Sequence, residues 1–148
     1  MGFLELLDKC LIKIPLEAHS KQALIEELLD LMDKNKKLLD REMAFHDVLK
    51  REALCSTGLE RGIAIPHAKT SSVDDIVLAV GISEKGIDYD AMDGLPSSLF
   101  FMILAPPDKS GPHVEVLSDI AKMTKSESMC RLLRSSKNAD EVIQLFED

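Results

Sequence analysis

Residues 51–69 read REALCSTGLERGIAIPHAK, and the rest of the chain is predicted to fold around this stretch. A helical run ends near Arg51, and a short apolar run at residues 63–65 stops at Pro66 and leads to His67. Proline fixes its own φ and biases the preceding residue toward extended geometry, so we expect a strand that ends at the proline. This pattern places His67 on a stiff backbone at a strand end, where its imidazole can meet solvent.

Composition restricts the class of protein. The chain has 148 residues, 45% apolar and 30% charged, which predicts one globular domain over residues 1–148. Its net charge of -8 argues against a nucleic-acid partner, because phosphate backbones are bound by clustered Lys and Arg. An acidic surface is compatible with a basic protein partner, although many solvated surfaces are acidic without one.

The expected compartment is the cytoplasm. No apolar run approaches the roughly 20 residues that a membrane-spanning helix needs, so direct membrane insertion is not expected. The first residues, MGFLELLDKC, lack the basic and long apolar regions of a secretory signal. Cys10, Cys55 and Cys130 are odd in number and widely spaced, which disfavours a disulfide framework and favours a reducing environment.

Hydrophobic patterning predicts an α/β domain in which a sheet lies between helical layers. Residues 76–82 (IVLAVGI) and 99–104 (LFFMIL) are nearly continuous apolar runs, typical of strands covered on both faces. Ser20 and Asp40 are predicted N-caps of two helices. The remaining predicted elements are helices at 3–10, 20–35, 40–54, 113–125, 126–133 and 139–146, a short edge strand within 11–16, and loops at 84–96 and 108–112.

Two of the four histidines are candidates for chemistry. His67 and His113 each stand beside a proline at the end of a regular element, whereas His19 and His46 are most simply surface residues. On a helix that starts at Pro112, His113 would share the inward stripe but lie at the exposed end. The alternative for a single histidine of this kind is a ring packed at the rim of the core. Together, the two predict a ligand site at one edge of the sheet.

These residues suit phosphoryl transfer. A neutral imidazole has an ordinary pKa near ~6.5 and is a competent nucleophile at cytoplasmic pH, so we interpret His67 as a carrier of a phosphoryl group. His113 would orient it or donate to a phosphate oxygen, and the first N–H groups of its helix would bind an anion. Ser56, Thr57 and Arg51 could complete the phosphate cradle. On position alone, Arg51 is equally explained as a surface residue that complements the helix dipole.

Three other chemistries fit less well. The histidines and cysteines lack the C-x-x-C, H-x-x-x-H and H-E-x-x-H spacings of metal sites, so no metal or other cofactor is expected. Cys55 and His67 are the formal minimum for a cysteine hydrolase, but no nucleophile elbow surrounds the cysteine. No P-loop or glycine-rich nucleotide fingerprint is present, which argues against ATP as the donor.

The pattern REAL-x-STG-x-x-x-GIAIPHAK resembles the active-site signature of the fructose/mannitol-type IIA domains of the bacterial sugar phosphotransferase system, a family that includes nitrogen-regulatory members. The similarity continues through GIDY at 86–89, MDG at 92–94, the apolar strand at 100–106 and GPH at 111–113. It therefore covers essentially the whole chain. The fold that it implies is a mixed sheet with helices on both faces.

The resemblance also implies a mechanism. His67 would accept a phosphoryl group at Nε2 from the phosphocarrier protein HPr, which enzyme I charges from phosphoenolpyruvate, and would pass it to a cysteine of a IIB domain. His113 corresponds to the second active-site histidine of the family and Arg51 to its motif arginine.

The chain departs from the family where Cys55 replaces a glycine and where Glu60 and Arg61 replace Gly-Asn. A link in sugar uptake and a nitrogen-type regulator both remain open, whereas an interaction module whose histidine is never phosphorylated is disfavoured; the sugar cannot be read from the sequence.

Overall fold

The computed structural model describes residues 2–147, in which four consecutive strands lie between two helices before them and three helices after them, with one further helix and one short strand near the start. In chain order they are α1 (Phe3–Leu6), β1 (Ile12–Lys13), α2 (Lys21–Lys34), α3 (Arg41–Leu54), β2 (Ile63–Ala64), β3 (His67–Lys69), β4 (Val77–Ile87), β5 (Ser97–Ala105), α4 (Ser110–Met123), α5 (Glu127–Ser135) and α6 (Ala139–Leu145). Short 3-10 turns at Lys9–Leu11 and Pro107–Lys109 precede β1 and α4.

The five strands form one mixed sheet. The order is β1-β4-β5-β2, and β3 also pairs with β5, on the parallel side. β1 is parallel to β4, β4 is antiparallel to β5, and β2 is parallel to β5. Ile63 pairs with Leu99 and His67 with Ile103, so β2 and β3 follow β5 at one constant offset and form a single interrupted edge.

Side chains alternate between two cores, one on each face of the sheet. Phe100, Met102 and Leu104 of β5 pack with the buried residues of α2 and α3. Phe101 and Ile103 point the other way and pack with α1, α4, α5 and α6. Strands with two apolar faces need cover on both sides, since side chains alternate with a period of two. The predicted sheet between helical layers is confirmed, and so is the mixed sheet implied by the resemblance.

Both predicted N-caps are present. Ser20 Oγ accepts a hydrogen bond from the N–H of Ala23 at 3.2 Å, and Asp40 Oδ1 accepts one from the N–H of Met43 at 3.1 Å. Each side chain satisfies one of the N–H groups that the first turn of a helix leaves unpaired. None of the helices found in residues 2–147 combines the length and apolarity needed to cross a membrane.

The first helix is shorter than predicted, since α1 ends at Leu6 and a 3-10 turn follows at Lys9–Leu11. Three further differences concern the sheet and α4. The chain does not leave the sheet after Pro66, because β3 begins at the next residue and the Pro66 carbonyl accepts the N–H of Ile103 at 2.9 Å. β4 continues to Ile87, into the predicted loop, since Ile87 resumes pairing with Ser97 after an irregularity that includes Gly86 at φ +82°. The third difference concerns α4.

Helix α4 begins at Ser110, three residues before the predicted start at His113. Pro112 is its third residue, a position where the helix does not require an N–H donor, so the proline is tolerated inside the first turn. The predicted polar loop is correspondingly replaced by a 3-10 turn at Pro107–Lys109 and the first turn of α4. The helix therefore starts one turn before His113, which corrects the expectation that His113 begins it and lies at its first N–H groups.

Candidate functional site

The backbone of the interrupted edge fixes the ring of His67. Its Nδ1 lies 2.8 Å from the carbonyl oxygen of Ile65, two residues earlier. A carbonyl oxygen can only accept a hydrogen bond, so Nδ1 of the neutral ring carries the hydrogen. The lone pair then belongs to Nε2. The residue is partly exposed, so an incoming group can approach it.

The second predicted histidine lies beside the first. Ala68 of β3 packs in the core formed with α2 and α3, so the neighbouring side chain of His67 faces the layer that contains α4. The ring centroids of His67 and His113 are 5.6 Å apart, and the ring planes meet at 72°. His113 is only 3% exposed, and its Nε2 has no hydrogen-bond partner among the residues that the structure describes.

Both rings are held in the neutral form. Burial lowers the pKa of His67 below its ordinary value, and the positive charge of Arg51 lowers it further, against opposing effects of the Ile65 carbonyl and the Glu52 carboxylate. Burial also lowers the pKa of His113, to about 4, with smaller contributions from His67 and Lys69. A neutral His67 is the state that a nucleophile requires.

Arg51 lies in the last turn of α3, as predicted. Its Nη1 donates to the carbonyl oxygen of Cys55 at 3.1 Å, which stabilises the C-terminal end of the helix. Within residues 2–147 no carboxylate lies within 4 Å of this guanidinium, so its charge is not neutralised by an ion pair. The same side chain thus serves the helix end and acts electrostatically on His67.

The hydroxyls of Ser56 and Thr57 hold the turn that follows α3. Ser56 Oγ donates to the carbonyl oxygen of Tyr89 at 2.9 Å and accepts from the N–H of Gly58 at 3.0 Å. Thr57 is buried, and its Oγ1 donates to Glu52 at 2.7 Å. These contacts give both hydroxyls partners within the protein. Their role as phosphate ligands stays a prediction.

A buried carboxylate anchors this turn, and sequence reasoning did not single it out. Both carboxylate oxygens of Glu52 accept from the N–H of Thr57, at 3.2 and 3.0 Å, and Lys21 Nζ lies 3.6 Å from Oε1. The Tyr89 hydroxyl lies 3.3 Å from Thr57 Oγ1, and the ammonium of Lys21 lies 4.7 Å from the centroid of the tyrosine ring. Burial, then the charge of Glu52, raise the pKa of Tyr89 far above its ordinary value, so the phenol stays protonated.

Helical spacing carries the signal that could have revealed Glu52. Ala44, Val48 and Glu52 are spaced i, i+4 and i+8 on α3, and all three are buried. An acidic residue in register with a buried stripe must have hydrogen-bond or ionic partners, because a buried unpaired charge is too costly. The same spacing therefore predicts a buried polar network at this end of the helix.

The structure contains no group of three or more His, Cys, Asp or Glu side chains, within residues 2–147, arranged to hold a metal ion. Its cysteines are free thiols. Cys10 and Cys55 are exposed and Cys130 is buried, and the Cys55 thiol lies 3.8 Å from the carbonyl oxygen of Ser56.

Residues 5–148 match the protein-family model described as the phosphoenolpyruvate-dependent sugar phosphotransferase system, EIIA 2. The chain belongs to this family. Among curated relatives, this IIA domain is 39% identical to the fructose-specific EIIABC component of Bacillus subtilis over 99% of its own length, but it spans only 23% of that protein. It is 32% identical to the nitrogen regulatory protein of Pseudomonas aeruginosa, over 95% of this chain and 90% of the relative.

Solved structures give the same assignment of fold. This IIA domain superposes on the nitrogen regulatory protein IIA-Ntr of Neisseria meningitidis with a TM-score of 0.89 and 33% identity, covering 97% and 98% of the two chains. It also superposes on Escherichia coli IIAMTL, solved in a complex with phosphorylated enzyme IIBMTL, with a TM-score of 0.80 over 94% and 95% of the chains. At 21% identity, that second likeness shows a shared fold alone.

Proposed function

We propose that this chain is a phosphocarrier that accepts a phosphoryl group from phospho-HPr on Nε2 of His67 and passes it to a cysteine of a IIB domain. The observation that carries the proposal is the contact between Nδ1 of His67 and the Ile65 carbonyl oxygen, because it leaves a lone pair on Nε2 of a partly exposed ring. As the bond from phosphorus to the donor breaks, a bond from phosphorus to Nε2 forms. No proton has to leave Nε2 beforehand.

The neighbouring groups support this chemistry. Phosphoryl transfer needs positioning and charge stabilisation more than it needs covalent participation of the protein. Nε2 of His113 is buried and has no hydrogen-bond partner within residues 2–147, and a phosphoryl oxygen on the adjacent ring would supply one. The un-neutralised guanidinium of Arg51 would attract the dianionic group. We retain Ser56 and Thr57 as proposed phosphate ligands, with the added role of holding the turn beside the ring.

The test is phosphorylation in a reconstituted system. Incubation with enzyme I, HPr and phosphoenolpyruvate is expected to add one phosphoryl group that is stable in base and labile in acid, measured by intact mass. A mixture without HPr serves as the control and should leave the chain unmodified. An unmodified chain in the complete mixture, when an established IIA domain in the same tube is phosphorylated, would contradict the proposal.

Two biological uses share this chemistry. The 39% identity to a fructose-specific EIIABC component favours sugar uptake, with a IIB domain as the acceptor, and the IIA–IIB complex of the E. coli structural neighbour supports such a partnership. The similarity along 90% of a nitrogen regulatory protein favours the alternative, in which the phosphorylation state of His67 controls binding to other proteins. An assay of phosphoryl transfer to IIB domains of differing specificity separates the two, since a regulator would transfer to none of them.

The variant His113→Ala is expected to accept the phosphoryl group but to pass it to a IIB domain more slowly. The expected loss is roughly 10-fold to 100-fold, the worth of one hydrogen bond to a charged group. Rapid-quench measurement of both half-reactions checks this, with His46→Ala, an exposed histidine of α3, as the matched control. Unchanged transfer by a folded His113→Ala protein would remove this residue from the mechanism.

The pKa of His67 predicts a dependence on pH. Because burial and Arg51 lower it, an NMR titration of the ring should show a midpoint below 6.5, and phosphoryl acceptance should decline only as the pH falls through that midpoint. Both histidines bind a proton more readily in the unfolded chain than in the folded one. The free energy of unfolding should therefore decrease as the pH falls below 6.5 toward the pKa of about 4 of His113. An NMR midpoint for His67 at or above 6.5 would contradict the lowered pKa of this ring.

A further inference from the structure

A pocket away from the two histidines is lined by three of the five arginines of the chain. It has a volume of about 370 Å³ and lies between the turn before β2 and helix α5. We call it the arginine pocket; its lining residues are Arg61, Glu127, Cys130, Arg131 and Arg134. The formal charge of its lining is +2, whereas the net charge of the chain is -8. The pocket is therefore a positively charged region on an acidic protein.

Hydrogen bonds hold two of the guanidinium groups in place. Nη2 of Arg61 donates to the carbonyl oxygen of Thr124 at 2.6 Å. Nε of Arg134 donates to Ser98 Oγ at 3.1 Å, and its Nη2 donates to the carbonyl oxygen of Arg61. These bonds use only part of the five donors that each guanidinium carries. The remaining donors are fixed in direction before any ligand arrives, which reduces the entropy lost on binding.

No acidic side chain neutralises the three charges. In the described range, residues 2–147, none of the three arginines has a carboxylate within 4 Å, although Glu127 lines the same pocket. By contrast, Arg41 on the opposite helical layer has carboxylate oxygens of Glu26, Asp30 and Glu42 within that distance. In an acidic chain, three guanidinium groups around one pocket that lack a carboxylate partner within residues 2–147 indicate a site for an anion from outside the protein.

A tight turn carries Arg61. Its φ is +61° and that of Gly62 is +77°, as in two-residue hairpin turns. The N–H of Leu59 donates to the carbonyl oxygen of Ile63 at 2.7 Å across this turn, and the N–H of Arg61 donates to Asp93 Oδ2 at 3.0 Å. The backbone position of Arg61 is therefore fixed.

The arginine pocket is separate from the histidine site. Ile63 and His67 pair with β5 residues four positions apart, a distance of roughly 13 Å along the strand. Arg61 lies beyond Ile63, farther from His67. A ligand small enough to fit the arginine pocket would therefore not contact the two imidazoles.

We propose that the arginine pocket binds the phosphate group of a small, hydroxyl-bearing phosphate monoester. Planar guanidinium groups match the oxygens of phosphate, and the pocket has the volume of a small-molecule site. Glu127 would accept a hydrogen bond from a hydroxyl at the far end of the ligand, a contact that inorganic phosphate is too small to make while it binds the arginines. The pocket thus favours an ester with hydroxyl groups over the bare anion.

The test is an NMR titration of the uniformly labelled full chain with ribose 5-phosphate, ribose and inorganic phosphate. Ribose 5-phosphate is expected to give saturable shifts of the Arg61, Arg131 and Arg134 resonances at roughly millimolar concentration, and ribose to give none. Inorganic phosphate should bind these residues more weakly than the ester. The variant Glu127→Leu should narrow the difference between the ester and inorganic phosphate, because it removes the acceptor for the hydroxyl of the ester.

Arg131→Gln provides the decisive variant, since this side chain has no hydrogen bond within the described part of the chain and should be dispensable for folding. It is expected to weaken binding of the ester about 10-fold or more, whereas Lys137→Gln, which removes the same charge outside the pocket, should change it less than about twofold. Equal losses in the two variants, or no saturable shift with ribose 5-phosphate, would overturn the proposal. A hexaglutamate peptide that shifts these resonances when the ester does not would assign the pocket to an acidic protein partner instead, and would also overturn it.

Discussion

The variant His67→Ala is expected to incorporate no phosphoryl group in the mixture of enzyme I, HPr and phosphoenolpyruvate. The reason is geometric as well as chemical. His67 presents a lone pair on Nε2 because its Nδ1 donates a hydrogen bond to the Ile65 carbonyl oxygen. The neighbouring His113, by contrast, is only 3% exposed. The second imidazole cannot substitute for the first without rearrangement of α4. Intact mass after exhaustive incubation measures the result.

Two controls make this outcome specific. His46→Ala removes an exposed histidine from α3 and should be phosphorylated like the unmodified chain. The variant His67→Gln should also remain unmodified, and a thermal unfolding curve close to that of the parent would exclude misfolding as the cause. NMR of the phosphorylated parent should place phosphorus on Nε2. Incorporation into a folded His67→Ala protein, or attachment at Nδ1, would contradict the proposed mechanism.

The variant Glu52→Leu is expected to lower the free energy of unfolding by about 3 kcal/mol, the size typical of breaking a buried charge network on one side. It would leave the N–H and hydroxyl of Thr57 and the ammonium of Lys21 without the carboxylate that they now share. The turn from Cys55 to Gly58 would lose its anchor, so phosphoryl transfer should also slow by roughly 10-fold to 100-fold. Chemical denaturation and rapid-quench kinetics measure the two effects.

The control for this prediction is Glu42→Leu, at an exposed position of the same helix, which should change stability by no more than about 0.5 kcal/mol. Glu52→Gln keeps an oxygen that can accept from Thr57 but removes the charge. Because the carboxylate raises the pKa of His67, this variant should lower that pKa further, an effect that a purely structural role would not produce. If Glu52→Leu matched Glu42→Leu in stability, the network would have no structural importance.

Sequence reasoning succeeded where the determinants are local. The caps at Ser20 and Asp40 depend on side chains three residues from the N–H groups that they accept from. The two long strands were recognisable because both of their faces are apolar. By contrast, the end of β4 depends on Ile87 pairing with Ser97 across an irregularity, and no local pattern encodes that pairing.

The site was predictable in its members but not in its geometry. The interpretation of His67 and His113 as a pair rested on their positions beside prolines and on the resemblance, and the 5.6 Å separation of their rings is a tertiary fact. Ser56 and Thr57 were identified from their type and position, but their hydroxyls contact Tyr89 and Glu52, which lie 33 and 5 residues away in the sequence. These hydrogen bonds depend on how α3, the turn that follows it and Tyr89, which comes shortly after β4, pack together.

The placement of Tyr89 gives the protein a built-in spectroscopic reporter. It is the only tyrosine in a chain without tryptophan, it is fully buried, and its hydroxyl and carbonyl groups both contact the turn beside His67. Emission excited at wavelengths longer than those that phenylalanine absorbs therefore originates at a single ring next to the candidate site. Quenching or recovery of that emission can follow events at the turn in real time, without dyes or isotopes.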